Sequence, residues 1–124
     1  MKLAVAAQSP DLNSDLAPFF GRARYFVAVN TDSDDFTVHN NAVHVKAVHA
    51  AGIQAAGAVV HLGVDAVIAN NIGPKAFATL RDCYVKVYQV PGGTVREAIE
   101  KARAEQLEPA TVANVEGHWK ESVK

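Results

Sequence analysis

Residues 63–77, GVDAVIANNIGPKAF, constrain the fold of this chain more tightly than any other stretch. Ala66 to Ala69 is a short apolar run of the kind a buried strand needs. Asn70, Asn71, Ile72 and Gly73 follow, and then Pro74, whose fixed φ and missing N–H suit the first position of a helix. A strand that feeds a helix through a tight polar loop leaves backbone N–H groups without helical acceptors. They lie at the positive end of the helix dipole, a place where an anion is welcome.

The flanking sequence extends this unit in both directions. Lys2–Ala7 is apolar almost throughout and reads as a central strand covered on both faces. Tyr25–Asn30 and Phe36–Asn40 read as two strands joined by the acidic turn 31–35, hence a hairpin. That acidic run is expected to be a solvated turn rather than a metal site. Residues 51–62 read as a helix with Ile53, Ala56, Gly57 and Val60 on its inner stripe, mostly covered around its circumference and ended by Gly63 in a left-handed cap. After the 63–77 unit, a helix is expected from Pro74 to about Asp82 and a fifth strand over 84–89. Pro91, Gly92 and Gly93 make a tight loop, and Thr94 with Glu97 forms a capping box for a last helix.

The order is βββαβαβα, which argues for a mixed sheet with helices on its faces. If strands one, three, four and five run parallel and strand two opposes them, four loops emerge at one edge. Ser9, Arg22, Arg24, His44, Lys46, His49, Asn70, Asn71, Lys75, Gly92 and Gly93 then share that edge. Open sheets of this type bind ligands outside the carboxyl ends of their strands. Taken by itself, loop 70–75 is either an anion cradle or a plain turn with proline at the helix start. In the first reading the N–H groups of Ile72 and Gly73, the Asn70 and Asn71 amides and the Lys75 ammonium face the ligand. Arg22 and Arg24 lie two apart on an expected extended segment, so they point to one face, with Asp11 and Asp15 as candidate salt-bridge partners. Phe19 and Phe20 are expected in the core.

His39, His44 and His49 invite a copper or zinc site. A spacing of five fits neither strand nor helix neighbours, so direct ligation is the less favoured reading. Donation to an anion or a dimer contact is preferred. Cys83, the single cysteine, excludes an intramolecular disulfide and any all-thiolate site within one chain. At the end of a helix it is expected to behave as a small hydrophobe.

Composition removes several classes of function. At 124 residues, 49% apolar and 20% charged, the chain has the balance of an ordinary soluble domain. A net charge of -1 supplies no global field for nucleic acid or a membrane surface. No apolar run reaches the length of a membrane span or a signal sequence, so a cytoplasmic location is expected. Strand one carries no carboxylate for a two-metal nuclease, and no nucleotide-binding or nucleophile-elbow motif occurs.

Four segments, MKLAVAAQ, FFGRARYFVAVN, AAGIQAAGAVVHLGVDAVIANNIGPKAF and VPGGTVREAIEKA, occur in order. In these the chain resembles the dinitrogenase iron–molybdenum cofactor biosynthesis family over about residues 1–107. The resemblance implies a ribonuclease-H-like α/β fold, a five-stranded sheet in the order 3-2-1-4-5 with strand two antiparallel. It implies binding or carriage of metal–sulfur clusters or iron–molybdenum cofactor precursors. With one cysteine, the chain looks like the orange-protein branch, which holds a molybdenum–copper sulfide cluster without thiolate bonds to the protein.

The expectation is a single domain over 1–107 followed by a loosely packed or disordered tail over 108–124. Its function is expected to be non-enzymatic: a carrier for an anionic molybdenum-type sulfide cluster, with or without copper. The alternative is an interaction module that binds a partner protein of cluster assembly or redox chemistry. Neither a nucleic acid nor a membrane is expected as partner, and the chain is expected to be a monomer or weak homodimer.

Overall fold

A computed structural model describes residues 1–33, 35–41 and 51–114. Five strands, β1 (Lys2–Ala7), β2 (Tyr25–Asn30), β3 (Phe36–Asn40), β4 (Ala66–Ala69) and β5 (Lys86–Gln89), form one sheet in the order β3-β2-β1-β4-β5. β1 pairs antiparallel with β2 and parallel with β4, and β4 pairs parallel with β5. The hairpin β2–β3 is antiparallel, with Val27 opposite Val38. The order and the opposed second strand are those the resemblance implied.

Among the described residues three helices cover the sheet: α1 (Ala51–His61), α2 (Pro74–Asp82) and α3 (Val95–Arg103). Strand side chains alternate between faces, so β1 splits into two sets. Ala4 and Ala6 join Val67, Ala69 and Val87 beneath α1 and α2, while Leu3, Val5 and Ala7 join Ala66, Ile68 and Tyr88 beneath α3. The first face is rich in alanine on sheet and helices alike, and this lets two helices pack close to it and to each other. A Cβ added at Gly52 of α1 would lie 3.4 Å from the Ala76 Cβ of α2. The burial of β1 and β4 on both faces follows their continuous apolar runs.

Three local expectations are corrected. α1 turns Ala51, Ala55, Ala56 and Val59 inward, while Ile53 is 42% exposed and Gly57 is exposed. The inner stripe is therefore mostly alanine, which allows the close approach to α2, and Ile53 on the other side is open. Strand β5 starts at Lys86 rather than 84. Tyr84 takes a left-handed φ of 62° and is 93% exposed, and the Val85 N–H still donates to Leu80 O at 2.9 Å. The chain is thus finishing the helix there, not yet pairing. Cys83 caps α2 and is exposed rather than packed.

Two helix ends behave as read. Gly63 closes α1 at φ 72°, and Thr94 with Glu97 makes both halves of the capping box on α3. After α3 the chain returns to the sheet. Pro109 bridges Tyr88, the Ala110 N–H donates to Val87 O at 2.7 Å, and Ala110 and Ala113 pack on the core.

Candidate functional site

β1, β3, β4 and β5 are mutually parallel, so the loops that follow them leave at one edge. The strand order reverses between β1 and β4, and here the chain is zipped to itself. Phe19 bridges Asn71, the Phe20 N–H donates to Asn71 O at 2.8 Å, and Asn71 Nδ2 donates to Pro18 O at 2.7 Å. The next three residues, Phe20–Arg22, form a short 3-10 turn. Phe20 is buried against Phe26 with ring centroids 5.3 Å apart, in the core as expected.

Gly21 makes the turn fit against α1. A Cβ there would lie 2.9 Å from both Cα and N of Gly52, so only glycine allows the approach. Gly21, Gly52 and Ala76 thereby stack the 3-10 turn, the start of α1 and the start of α2 side by side. Both helices begin at the carboxyl edge with no acidic residue in their first turns. Each dipole places about half a positive charge there.

The start of α2 is open to an acceptor. Its N-cap is Gly73, which has no side chain to bond back, and Pro74 holds the first position. The Lys75 and Ala76 N–H groups meet no acceptor among the described residues. Lys75 itself is exposed. The Ile72 N–H is taken by Asn114 Oδ1 at 2.7 Å, and Asn114 Nδ2 returns to Asn70 O at 3.2 Å and Asn71 Oδ1 at 3.0 Å.

The start of α3 is closed. The Val95 and Arg96 N–H groups donate to Ser14 O and Leu12 O, and the Leu16 N–H donates to Gly93 O. The Glu97 Oε1 accepts from the Thr94 N–H at 2.9 Å, which holds its carboxyl below the usual value, helped by the Thr94 hydroxyl and then by Lys101. Gly92 and Gly93 lie at this sealed end. Ser9 is exposed, and its N–H donates to Ser14 Oγ at 2.8 Å within the same loop.

Arg22 and Arg24 are both exposed on either side of buried Ala23. They do not share one extended segment, because Arg22 ends the 3-10 turn. No ion pair joins either to Asp11 or Asp15 among the described residues. Asn41, which is buried, secures this region: its N–H donates to Arg24 O and its Nδ2 to Ala23 O, both at 2.8 Å. Its Oδ1 finds no donor among the described residues.

His39 shares a 2.8 Å hydrogen bond with Thr37 Oγ1 on β3. It lines a groove of ≈ 460 Å³ between β3 and α1, together with Gln54, Gly57 and His61. His44, Lys46 and His49 lie outside the described residues. Among the described residues no group of three or more His, Cys, Asp or Glu side chains is placed to hold a metal ion. Cys83 lies at the far end of α2, about 13 Å along the helix from its open start. No helix among the described residues is long and apolar enough to cross a membrane.

Asn114, Asn41 and the Gly21–Gly52–Ala76 stack were not signalled by local sequence. Asn114 meets Ile72 from 42 residues away, and no periodicity or motif encodes such a contact.

Comparison with known proteins agrees with this architecture. The apo orange protein of Desulfovibrio gigas superposes with a TM-score of 0.88 at 32% identity, covering 91% of this chain and 95% of that one. A candidate NifB protein from Thermotoga superposes with a TM-score of 0.78 at 36% identity, covering 90% and 94%. An uncharacterized protein of Methanocaldococcus jannaschii is 30% identical over 104 residues, 81% of this chain and 83% of the relative. The family model described as dinitrogenase iron–molybdenum cofactor matches residues 1–105, and this chain belongs to that family.

Proposed function

We propose that this protein is a carrier, not an enzyme, for an anionic molybdenum-type sulfide cluster, with or without copper. The cluster is held without covalent bonds at the start of α2. The observation that carries this reading is the pairing of two helix N-termini, packed through Gly21, Gly52 and Ala76, with uncapped amides at Lys75 and Ala76. Sulfide and oxo groups accept hydrogen bonds, and the donors present there are amides and exposed cations. Lys75 on the first turn of α2 supplies charge, and Arg22 and Arg24, exposed at the same edge of the sheet, add to it. The single cysteine is exposed at the other end of α2, so charge and hydrogen bonds are the means of holding. Similarity to the orange protein supports the cluster type, and an iron–molybdenum cofactor precursor is the alternative cargo. The cytoplasm suits a cluster of this kind.

Anaerobic titration of the apo protein with tetrathiomolybdate, alone and with cuprous ion, is expected to give a saturable change in the visible spectrum. Lys75→Ala and Arg24→Ala should each weaken binding about tenfold, the size expected for a hydrogen bond to a charged group. No spectral change, and no molybdenum, copper or iron retained on anaerobic purification, would sink the reading.

A second reading, a module that docks on a protein of cluster assembly or redox chemistry, draws on the open outer face of α1, where Ile53 is 42% exposed. Ile53→Asp should abolish co-elution with such a partner and leave tetrathiomolybdate binding unchanged.

A further inference from the structure

Asn114 supplies the acceptor for the Ile72 N–H in the loop at the α2 start. Its Oδ1 lies 2.7 Å from the Ile72 nitrogen, and its Nδ2 holds Asn70 O and Asn71 Oδ1 of the same loop. A carboxamide oxygen is an acceptor of the kind that a sulfide or oxo group would offer to that N–H. The segment that carries it is lightly held. Val112 is 71% exposed, Thr111 and Asn114 are exposed, half-buried Ala113 rests on the core, and the backbone anchor lies upstream at Ala110. The two Nδ2 bonds are exposed and the Oδ1 bond to Ile72 is part-buried, and neutral hydrogen bonds of this kind each contribute only a modest net stability.

We infer that Asn114 is a displaceable latch on the anion loop. The tail takes the Ile72 amide in the ligand-free protein and gives it up to the ligand, so tail docking and anion binding compete. The inference rests on the carrier reading above and adds regulation to it. Competition is reciprocal: a partner that draws segment 111–114 away promotes loading, and one that presses it back promotes release. A cargo carrier needs such a release step, and one side chain with three hydrogen bonds to the loop supplies it.

The test compares full-length wild type with Asn114→Ala and Asn114→Leu, the second retaining side-chain size, and with Val112→Ala as control. Each is titrated with tetrathiomolybdate under anaerobic conditions. Both Asn114 variants are expected to bind about tenfold more tightly, because the competent state no longer has to be released from the latch. The control should match wild type. In wild type, the Asn114 side-chain amide resonances should shift on adding tetrathiomolybdate, as Nδ2 leaves Asn70 O and Asn71 Oδ1, a readout that needs no substitution to fold. Equal or weaker binding by both variants, or unchanged Asn114 amide resonances in a wild type that binds, overturns the latch. If wild type binds and the variants match it, only the latch fails; if no form binds, the carrier reading fails with it.

Discussion

Gly21→Ala should destabilise the protein by about 2 kcal/mol, and Gly57→Ala should stabilise it. At Gly21 the new methyl would stand 2.9 Å from Gly52 Cα and N and 3.3 Å from Ala51 C. All three are backbone atoms, which no rotamer change can move aside. Carbon atoms rest at about 3.5–4.0 Å, so the 3-10 turn must shift by more than about half an ångström. That turn is tied by the 2.8 Å bond from Phe20 N–H to Asn71 O and by the buried Phe20 ring on Phe26. Overpacking of this kind costs about 1–3 kcal/mol. For a chain of 124 residues the change in Tm is about 3–5 °C per kcal/mol, hence a loss of about 5–10 °C. Gly57 is exposed inside α1, and a Cβ there meets nothing within 4 Å. Alanine at this site should gain about 0.5–1 kcal/mol from helix propensity alone. Calorimetry or circular dichroism melts of both variants beside wild type decide the matter. Since the same turn carries Arg22 and packs on the start of α1, Gly21→Ala should also weaken anion binding at temperatures where it is fully folded. A Gly21→Ala midpoint within about 1 °C of wild type, or a Gly57→Ala midpoint below it, would refute the packing argument.

Two further perturbations follow from the helix ends. Glu97 has a lowered pKa through the Thr94 N–H first, then the Thr94 hydroxyl and Lys101, so its ionised form favours the folded state. That contribution is complete above the ordinary carboxylate pKa and is lost as pH falls through the depressed folded value. The stability gap between wild type and Glu97→Gln should therefore be present at neutral pH and close in acid. A gap that stays constant into the acid range would contradict the assignment. Gly63 has φ 72° with open space around it, so Gly63→Ala tests backbone strain alone, at about 1 kcal/mol. Gly63→Asn should cost less, because asparagine tolerates the left-handed region. Equal melting temperatures for the two variants would argue against strain as the cause.

The strands were legible where burial and chain punctuation agree. β1, β2, β3 and β4 begin and end as their apolar runs suggest, because each is bounded by a polar or turn residue. The fifth strand was misread at its start because Tyr84 and Val85 have strand-forming side chains while the backbone there completes a helix end. The α1 stripe was misread because hydrophobicity ranks Ile53 above Ala55, whereas a tight helix pair ranks them by volume. At the edge, the loop residues and helix starts could be placed from strand direction alone. Their state of satisfaction could not, since it depends on Leu12, Ser14 and Asn114, whose contacts span tens of residues.

That difference in satisfaction divides the carboxyl edge into two halves with different chemistry. On the α3 side, two amides of the helix start bond to backbone carbonyls of loop 12–14, Thr94 is the cap, and the capping box adds a carboxylate, Glu97. An anion arriving there meets negative charge and amides that only a refolded loop could release. On the α1–α2 side the cap is a glycine, neither first turn carries an acid, and the loop amide is closed by one exposed side chain. Both halves have the same strand–loop–helix connectivity, so topology alone does not decide where an anion binds. The choice comes from capping chemistry: a local capping box makes a permanent end, and a glycine cap with a distant asparagine makes one that can open. Gly92 and Gly93 share the edge with Lys75, yet they adjoin the end closed by the Leu12–Leu16 loop and Glu97, with the Gly93 carbonyl taken by the Leu16 N–H. Binding held in this way by dipoles, amides and exposed cations should weaken steadily as salt is added, a dependence that a thiolate-ligated cluster would not share.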